Sequence, residues 1–273
     1  MIVRSPPSTR RNLLGGFAGA LFASVGQPAS AQSGAETPIL RVLTSGGLAA
    51  ALQRLVPAYE RAAQVRVTIA YGPSMGATSD AIPNRLDRGD RADVVILARE
   101  GLDRLIVNGK VRADTCRDIA RSEIAVAVRA GAPIPDISTM EAFRRALVAA
   151  KSVAWSDSAS GVYLATVLFP RLGLADAMKI KGREIPATPV GRIVAEGKAE
   201  LGFQQMSELK PVPGITIVGL IPAQAQRVTV FSAGAVDKSS QTQLARAFIT
   251  YLVSPQAASA IRETGMEPAG SVR

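Results

Sequence analysis

Histidine is absent from all 273 residues of the sequence. It is the only side chain whose unperturbed pKa lies close to neutral pH, so its absence excludes Ser-His-Asp and Cys-His catalysis and zinc sites built on histidine. Acid–base chemistry would therefore need a carboxylate, a tyrosine or a lysine with a perturbed pKa. We expect neither a metal nor a cofactor.

Cysteine is almost as scarce, because Cys116 is the only one and no disulfide can form within the chain. A chain of this length buries a core large enough to fold without a disulfide, even in an oxidising compartment. Cys116 has no histidine to act as its base, so we interpret it as a core or surface thiol.

Positive charge is in moderate excess, with 32 Lys and Arg against 22 Asp and Glu, a formal net charge of +10. Residues 1–31 hold three arginines and no acidic residue, which leaves 29 basic and 22 acidic side chains beyond them. These Lys and Arg are scattered, so the concentrated stripe typical of a nucleic-acid binder is missing. A scattered positive field raises the encounter rate with small anions.

Residues 1–31 have the pattern of an export signal, with a basic start, a short apolar stretch at 13–25 and a small-residue cleavage site at 29–31. The apolar stretch is too short to span a bilayer. Residues 8–14 resemble a twin-arginine signal, and an ordinary secretion signal that happens to hold two arginines is the alternative. We expect cleavage near Ala31 and a mature protein in the periplasm.

Beyond the signal, the hydrophobic pattern alternates between strands and helices. Residues 39–43 are β-rich, 48–63 repeat apolar side chains at helical spacing, and 65–70 alternate as a strand does. This order is a βαβ unit, and it continues with a buried strand at 92–97 and ends in helices at 239–253 and 255–263. The sequence therefore predicts an α/β protein.

Three segments place small polar residues where a strand meets a helix. A helix start exposes unpaired N–H groups and the positive end of the helix dipole, serine adds hydroxyl donors, and glycine admits a ligand close to the backbone. Together they predict a cradle for an anion at the carboxyl ends of the strands. None of the three is a phosphate-binding P-loop or a dinucleotide-binding GxGxxG motif. The candidate residues are Ser45, Gly46, Ser74, Met75, Ser160 and Gly161.

Four further positions are candidates with weaker support. Arg192 begins a predicted helix close to Thr188 and could pair with a carboxylate, although a solvated surface arginine is the alternative. Gln205 ends a predicted strand and could present its amide to a ligand, more so than its neighbour Gln204. Asp157 is the acid closest to the cradles, and a capping role is its alternative.

Several segments resemble one known family. The runs Val-Leu-Thr-Ser-Gly-Gly-Leu at 42–48, Ala-Asp-Val-Val-Ile-Leu at 92–97 and Ser-Pro-Gln-Ala-Ala at 254–258 are similar to those of the periplasmic molybdate-binding proteins, as is Leu-Gly-Phe at 201–203. These proteins have the type II periplasmic solute-binding fold, and the resemblance extends over residues 40–266 in matching order.

The resemblance implies two lobes, each a mixed sheet flanked by helices, joined by two crossover strands near residues 122–128 and 227–231. Lobe one would comprise residues 38–121 and 227–273, and lobe two residues 122–226. The family's oxyanion site lies between the lobes.

Carried over to this chain, that site implies two serines, Ser45 and Ser74, together with backbone N–H groups at Ser160-Gly161 and Thr188. The family's tyrosine is replaced by Gln205, which suits a larger, partly protonated or organic anion.

Three functions follow from this interpretation. The first is a monomeric receptor that delivers a small anion to an ABC-type membrane permease. The alternative is a periplasmic isomerase of a small polycarboxylate such as aconitate, because aconitate isomerase resembles the same fold family. A sensor or chaperone subunit that presents its ligand to a membrane protein is the third.

Overall fold

Eleven strands between residues 37 and 270, the part of the chain that the structure describes, form two mixed β-sheets. The structure is a computed structural model. The export signal expected over residues 1–31 lies outside the described residues. Within the described part, no helix combines the length and the hydrophobicity needed to cross a membrane.

The first sheet combines strands from both ends of the described chain. Its strands, in spatial order, are β11 (Glu267–Pro268), β4 (Arg117–Ser122), β10 (Thr229–Ala235), β3 (Val94–Ala98), β1 (Ile39–Thr44) and β2 (Arg66–Tyr71). β1 pairs in parallel with β2 and β3, whereas β10 runs antiparallel to both β3 and β4. The parallel half of the sheet is the βαβ unit that the sequence predicts.

The second sheet is built from the middle of the chain. Its strands, in spatial order, are β7 (Gly182–Ile185), β6 (Val153–Ser156), β8 (Leu201–Gln205), β5 (Ile124–Arg129) and β9 (Ile215–Leu220). β6 pairs in parallel with β7 and β8, and β5 is antiparallel to β8 and β9. Two mixed sheets with flanking helices confirm the predicted α/β fold class.

Helices cover both faces of each sheet. In chain order they are α1 (Ala49–Ala63), α2 (Ile82–Asp87), α3 (Arg99–Val107), α4 (Met140–Ala149), α5 (Ala159–Tyr163), α6 (Phe169–Arg171), α7 (Ala175–Lys181), α8 (Val190–Ala195), α9 (Met206–Leu209), α10 (Thr242–Leu252) and α11 (Pro255–Glu263). A π-helical turn at Leu164–Leu168 joins α5 to α6, and a 3₁₀ turn at Gly46–Leu48 leads into α1.

The alternation of side chains along a strand explains why each sheet has two apolar faces. In β3, Val94 and Ile96 join the core under α1, α10 and α11, whereas Val95 and Leu97 face the opposite side with α2 and α3. In the second sheet, α4 to α7 cover one face, and α8 and α9 cover the other. Gly202 lets α8 pack closely on β8, because a Cβ atom there would overlap a methyl group of Val194.

The chain passes between the two sheets twice, and a glutamine links the two passages. Only Glu123 separates β4 from β5, and residues 221–228 connect β9 back to β10. The side-chain amide of Gln226 accepts a hydrogen bond from the N–H of Ile124 at 2.8 Å and donates one to the carbonyl of Ile124 at 3.0 Å. The two connections are therefore held side by side by a pair of hydrogen bonds.

Candidate functional site

A cavity of about 500 Å³ lies at the carboxyl ends of β1, β2, β6 and β8, where an open α/β sheet places its ligands. Its lining comes from both sheets and from the turns that follow their strands. The lining residues are Gly46, Ala49, Ala50, Gln53, Tyr71, Gly72, Pro73, Asp80, Ser156, Asp157, Ser158, Ala187, Thr188, Pro189, Gln204, Ser207, Glu208, Pro211 and Val212.

The first predicted cradle contributes its glycine. Gly46 lines the cavity at the start of the helical segment that continues into α1. Ser45, one residue earlier, is 2% exposed, and its hydroxyl oxygen has no hydrogen-bond partner among the described residues. Its N–H donates to the carbonyl of Ile96 at 2.8 Å, which ties the end of β1 to β3.

The second cradle is fixed to the third by hydrogen bonds. Ser74 is fully buried, and its hydroxyl oxygen accepts the N–H of Ala98 at 2.9 Å. The N–H of Ser74 donates to the hydroxyl oxygen of Ser158 at 3.2 Å, which brings the two segments together. Ser74 is not among the residues that line the larger cavity, whereas its neighbours Gly72 and Pro73 are.

The third cradle lines the cavity through residues that come just before the predicted ones. Ser156 and Ser158 face the cavity, whereas Ser160 is buried behind them, 3.3 Å from the hydroxyl of Ser156. Gly161 packs against the carbonyl of Ser156, where a Cβ atom would overlap the oxygen. This glycine therefore has a packing role, because it allows the helix to begin directly against the end of β6.

The turn before α8 brings one more predicted residue to the cavity. Thr188 lines it, next to Ala187, whose φ of 53° lies in the left-handed region that costs energy for a residue with a Cβ atom. Arg192 lies on the exposed face of α8 and does not line the cavity. Gln205 is buried, and its amide donates to the hydroxyl of Thr229 at 2.8 Å, away from the lining.

The sequence analysis did not identify Glu208, the most unusual acid of the cavity. Its carboxylate oxygen Oε1 accepts a hydrogen bond from the side-chain amide of Gln204 at 3.0 Å. The carbonyl oxygen of that amide accepts the N–H of Val190 at 2.9 Å, so the orientation of Gln204 is fixed by the start of α8. Burial raises the pKa of Glu208 to about 7, and the amide of Gln204 opposes that increase.

Electrostatically, the cavity is unlike an ordinary anion site. Three carboxyl groups line it, those of Asp80, Asp157 and Glu208, and none of the lining residues is Lys or Arg. Asp157 is 7% exposed, one of its oxygens has no hydrogen-bond partner among residues 37–270, and burial raises its pKa. In that part of the chain, no group of three or more Asp, Glu or Cys side chains is arranged to hold a metal ion.

A smaller cavity of about 280 Å³ lies beside the connections between the sheets, and Met75 lines it rather than the larger one. Arg227 forms an ion pair with Glu100 here and lies over the ring of Tyr163, 5.5 Å from its centroid. The hydroxyl of Tyr163 donates to the carbonyl of Ala225 at 2.9 Å. The polar groups of this cavity are thus largely satisfied by one another.

Comparisons with known proteins are consistent with this architecture. Residues 40–267 match the model of a family described as bacterial extracellular solute-binding protein. A protein of Pseudomonas sp. named aconitate isomerase is 54% identical over 229 residues, which cover 84% of this chain and 87% of that protein.

Solved structures of lower identity share the fold. The periplasmic molybdate-binding protein of Azotobacter vinelandii has a TM-score of 0.67 at 20% identity, covering 83% of this chain and 98% of that one. A sulfate-binding protein of Mycobacterium tuberculosis has a TM-score of 0.67 at 18% identity, covering 85% of this chain and 88% of that one.

Proposed function

The chain belongs to the family of bacterial extracellular solute-binding proteins, and from this premise we propose that it binds a small polycarboxylate in the larger cavity and isomerises it by moving a proton. An unsaturated tricarboxylate of the aconitate type is the proposed substrate, because the 54% identical relative is named for its isomerisation. The periplasm is the proposed location, in line with the family and with the export signal that the sequence predicts at residues 1–31.

The size and the donors of the cavity suit such a ligand. A volume of about 500 Å³ lies within the range of small-molecule sites. Ser156, Ser158, Thr188 and Ser207 line it, although the hydroxyl oxygen of Ser207 is itself buried. Hydroxyls can donate to carboxylate oxygens, so Ser156, Ser158 and Thr188 supply donors for a polycarboxylate.

The observation that carries the enzymatic proposal is the presence of the buried carboxyl group of Asp157 and the half-buried one of Glu208 in a cavity lined by neither Lys nor Arg. A receptor that only captures an anion gains nothing from them, because like charges weaken binding. A proton-shifting enzyme needs a group that can take up and return a proton near neutral pH, and in a chain without histidine a carboxyl group whose pKa is raised can serve. No lysine lines the cavity, and the pKa of Tyr71 is raised away from neutral pH.

The reaction itself needs no further reactant. A base removes a proton from the methylene carbon, and the electron pair of that C–H bond becomes the new double bond. The old double bond opens towards its far carbon, which then takes a proton. One proton leaves and one returns, so the oxidation state of the substrate does not change.

The test is to incubate each aconitate isomer with the purified mature protein and to follow the other isomer by proton NMR. We expect both directions to reach the same equilibrium ratio. The absence of conversion, together with stabilisation of the protein by either isomer in a thermal-shift assay, would contradict the enzymatic proposal.

That second outcome would favour the other candidate function, a monomeric receptor for an ABC-type permease. The family match over residues 40–267 supports this candidate, because solute binding is what the family's description states. A thermal-shift panel of molybdate, tungstate, sulfate, phosphate, citrate and both aconitate isomers separates the two candidates. Stabilisation by a bare oxyanion and not by a carboxylate would favour the receptor.

A further inference from the structure

We propose that Glu208 is the catalytic residue that carries the proton between the two carbon atoms of the substrate, and that Gln204 is the residue that positions its carboxylate. This inference rests on the proposed function and assigns the reaction to one of the three acids in the cavity. Neither the sequence analysis nor the named relative identifies the residue.

Orientation distinguishes Glu208 from the other two acids. A group that transfers a proton must be held at a fixed position relative to the reacting carbon atoms. Glu208 is held from one side by the amide of Gln204, which is itself fixed by the N–H of Val190. Gly46 lies against the same oxygen, Oε1, close enough that a Cβ atom there would displace the carboxylate.

The other two acids are held differently. Asp80 is exposed at the rim of the cavity, where water can reach it freely. Asp157 is buried near the backbone N–H of Ala187 and the hydroxyl of Thr78, which act to lower its pKa, but its second oxygen is buried without a hydrogen-bond partner among the described residues. We assign Asp157 an indirect role, because its negative charge raises the pKa of Glu208 in addition to the effect of burial.

Among residues 37–270, no Lys or Arg lines the cavity to offset the negative charges of Asp157 and Glu208. Lys210, the next charged residue in the chain, donates to the carbonyl of Glu263. The other charged residues on the elements packed against α9 are all absent from the cavity lining. They are Arg54, Glu60 and Arg61 on α1, Arg129 on β5, and Arg192 on α8. Tyr71 is the remaining titratable group of the lining, and burial raises its pKa above the ordinary value, so it stays neutral.

The chemistry follows from this arrangement. The Glu208 carboxylate takes the proton from the methylene carbon, and the resulting allylic anion spreads its charge into the neighbouring carboxylates of the substrate. The protonated Glu208 then gives the proton to the far carbon and is a carboxylate again. A base whose pKa is about 7 is divided between its two forms at neutral pH, which suits a group that must act as base and then as acid.

The first experiment compares Glu208→Gln with the wild-type protein and with Glu141→Gln, a matched change on the exposed surface of α4. We expect Glu208→Gln to lower kcat about 10²- to 10⁴-fold, the usual contribution of a positioned acid or base, while aconitate still raises its melting temperature. Glu141→Gln should behave as wild type. A Glu208→Gln protein with more than a tenth of the wild-type kcat would overturn the assignment. So would a result in which Asp157→Asn loses turnover and Glu208→Gln keeps it.

The second experiment tests the positioning role through the pH profile. Gln204→Met removes the hydrogen bond that favours the charged form of Glu208, so the rising limb of kcat against pH should move to higher pH. A purely structural defect would lower kcat by the same factor at every pH, and that result would contradict the proposal. This measurement decides the matter if Glu208→Gln fails to fold. If the wild-type protein converts no isomer, the proposed function fails, whereas an active Glu208→Gln protein removes only this inference.

Discussion

Gly46 offers the sharpest structural test of how the Glu208 carboxylate is held. A Cβ atom built on Gly46 would lie 2.2 Å from Oε1 of Glu208, whereas ordinary contacts begin at 3.4 Å. In Gly46→Ala the carboxylate must therefore retreat by about 1.2 Å. The backbone of Gly46 does not lie in the left-handed region, so alanine fits it without strain.

A displacement of this size is costly for a reacting group, because a misplacement of about 1 Å can lower a rate on the order of 100-fold. We expect Gly46→Ala to lower kcat by about that factor. The melting temperature should change little, since the atom displaced is the free end of a flexible side chain. The assay is the conversion of one aconitate isomer into the other, measured at saturating substrate beside a thermal melt.

The control is Gly270→Ala, where a Cβ atom meets nothing within 4 Å. It should match the wild-type protein in both measurements. A Gly46→Ala protein with wild-type kcat would refute the reasoning, because it would show that the position of this carboxylate does not matter. If Gly46→Ala raises KM and leaves kcat unchanged, the reasoning also fails, because Gly46 would then act in substrate binding and not in the orientation of Glu208.

Three further predictions concern stability and protonation. The pKa of Glu208 is raised to about 7 in the folded protein, so the folded state keeps a proton that the unfolded state releases between about pH 4.5 and 7. The free energy of unfolding therefore falls across that range by up to about 3 kcal/mol. Glu208→Gln should melt at a higher temperature than the wild-type protein at pH 8, and equal melting temperatures there would contradict this prediction. Binding of an aconitate isomer at pH 7.5 should take up a fraction of a proton, because the charged substrate raises the pKa of Glu208 further; calorimetry in buffers of different ionisation enthalpy measures this uptake, and Glu208→Gln should reduce it. Ser74→Ala should cost about 1–3 kcal/mol in chemical denaturation, since it leaves the buried N–H of Ala98 without its acceptor, and an unchanged denaturation midpoint would count against that bond.

The fold could be predicted where one chain segment determines its own structure. Residues 94–97 are apolar throughout, and β3 is buried along its whole length as that pattern indicates. The sequence did not predict β4 and β7. β4 carries arginines and an aspartate and becomes a strand because it pairs with β10 and β11, and β7 is an edge strand whose exposed residues Arg183 and Glu184 hide its alternation.

The candidate site, too, could be predicted from the sequence only in part. Strand-to-helix turns were recognisable from serine and glycine, and Gly46 and Thr188 line the cavity as candidates of that kind. Ligand contact itself stays a prediction for every candidate. Gln204 and Gln205 follow each other in one strand and therefore face opposite sides, and the sequence led us to favour Gln205 for the cavity. The structure gives that place to Gln204.

Glu208 could not be found from local sequence, because nothing in the short helix Met206–Leu209 marks its glutamate as unusual. Its properties arise from contacts with Gly46 and Gln204, the first of them far away in the chain. Only the packing of α9 of the second sheet against the turn after β1 of the first sheet creates that environment. The pKa of a buried acid is in this sense a property of the tertiary fold.

The paired hydrogen bonds between Gln226 and Ile124 constrain how the two sheets could move relative to each other. Sliding one connection along the other would break both bonds at once, whereas a bend across that point would keep them. Relative motion of the sheets that preserves both bonds is therefore a bend at these connections and not a slide. A substitution at Gln226 removes this constraint without changing a residue that lines the larger cavity.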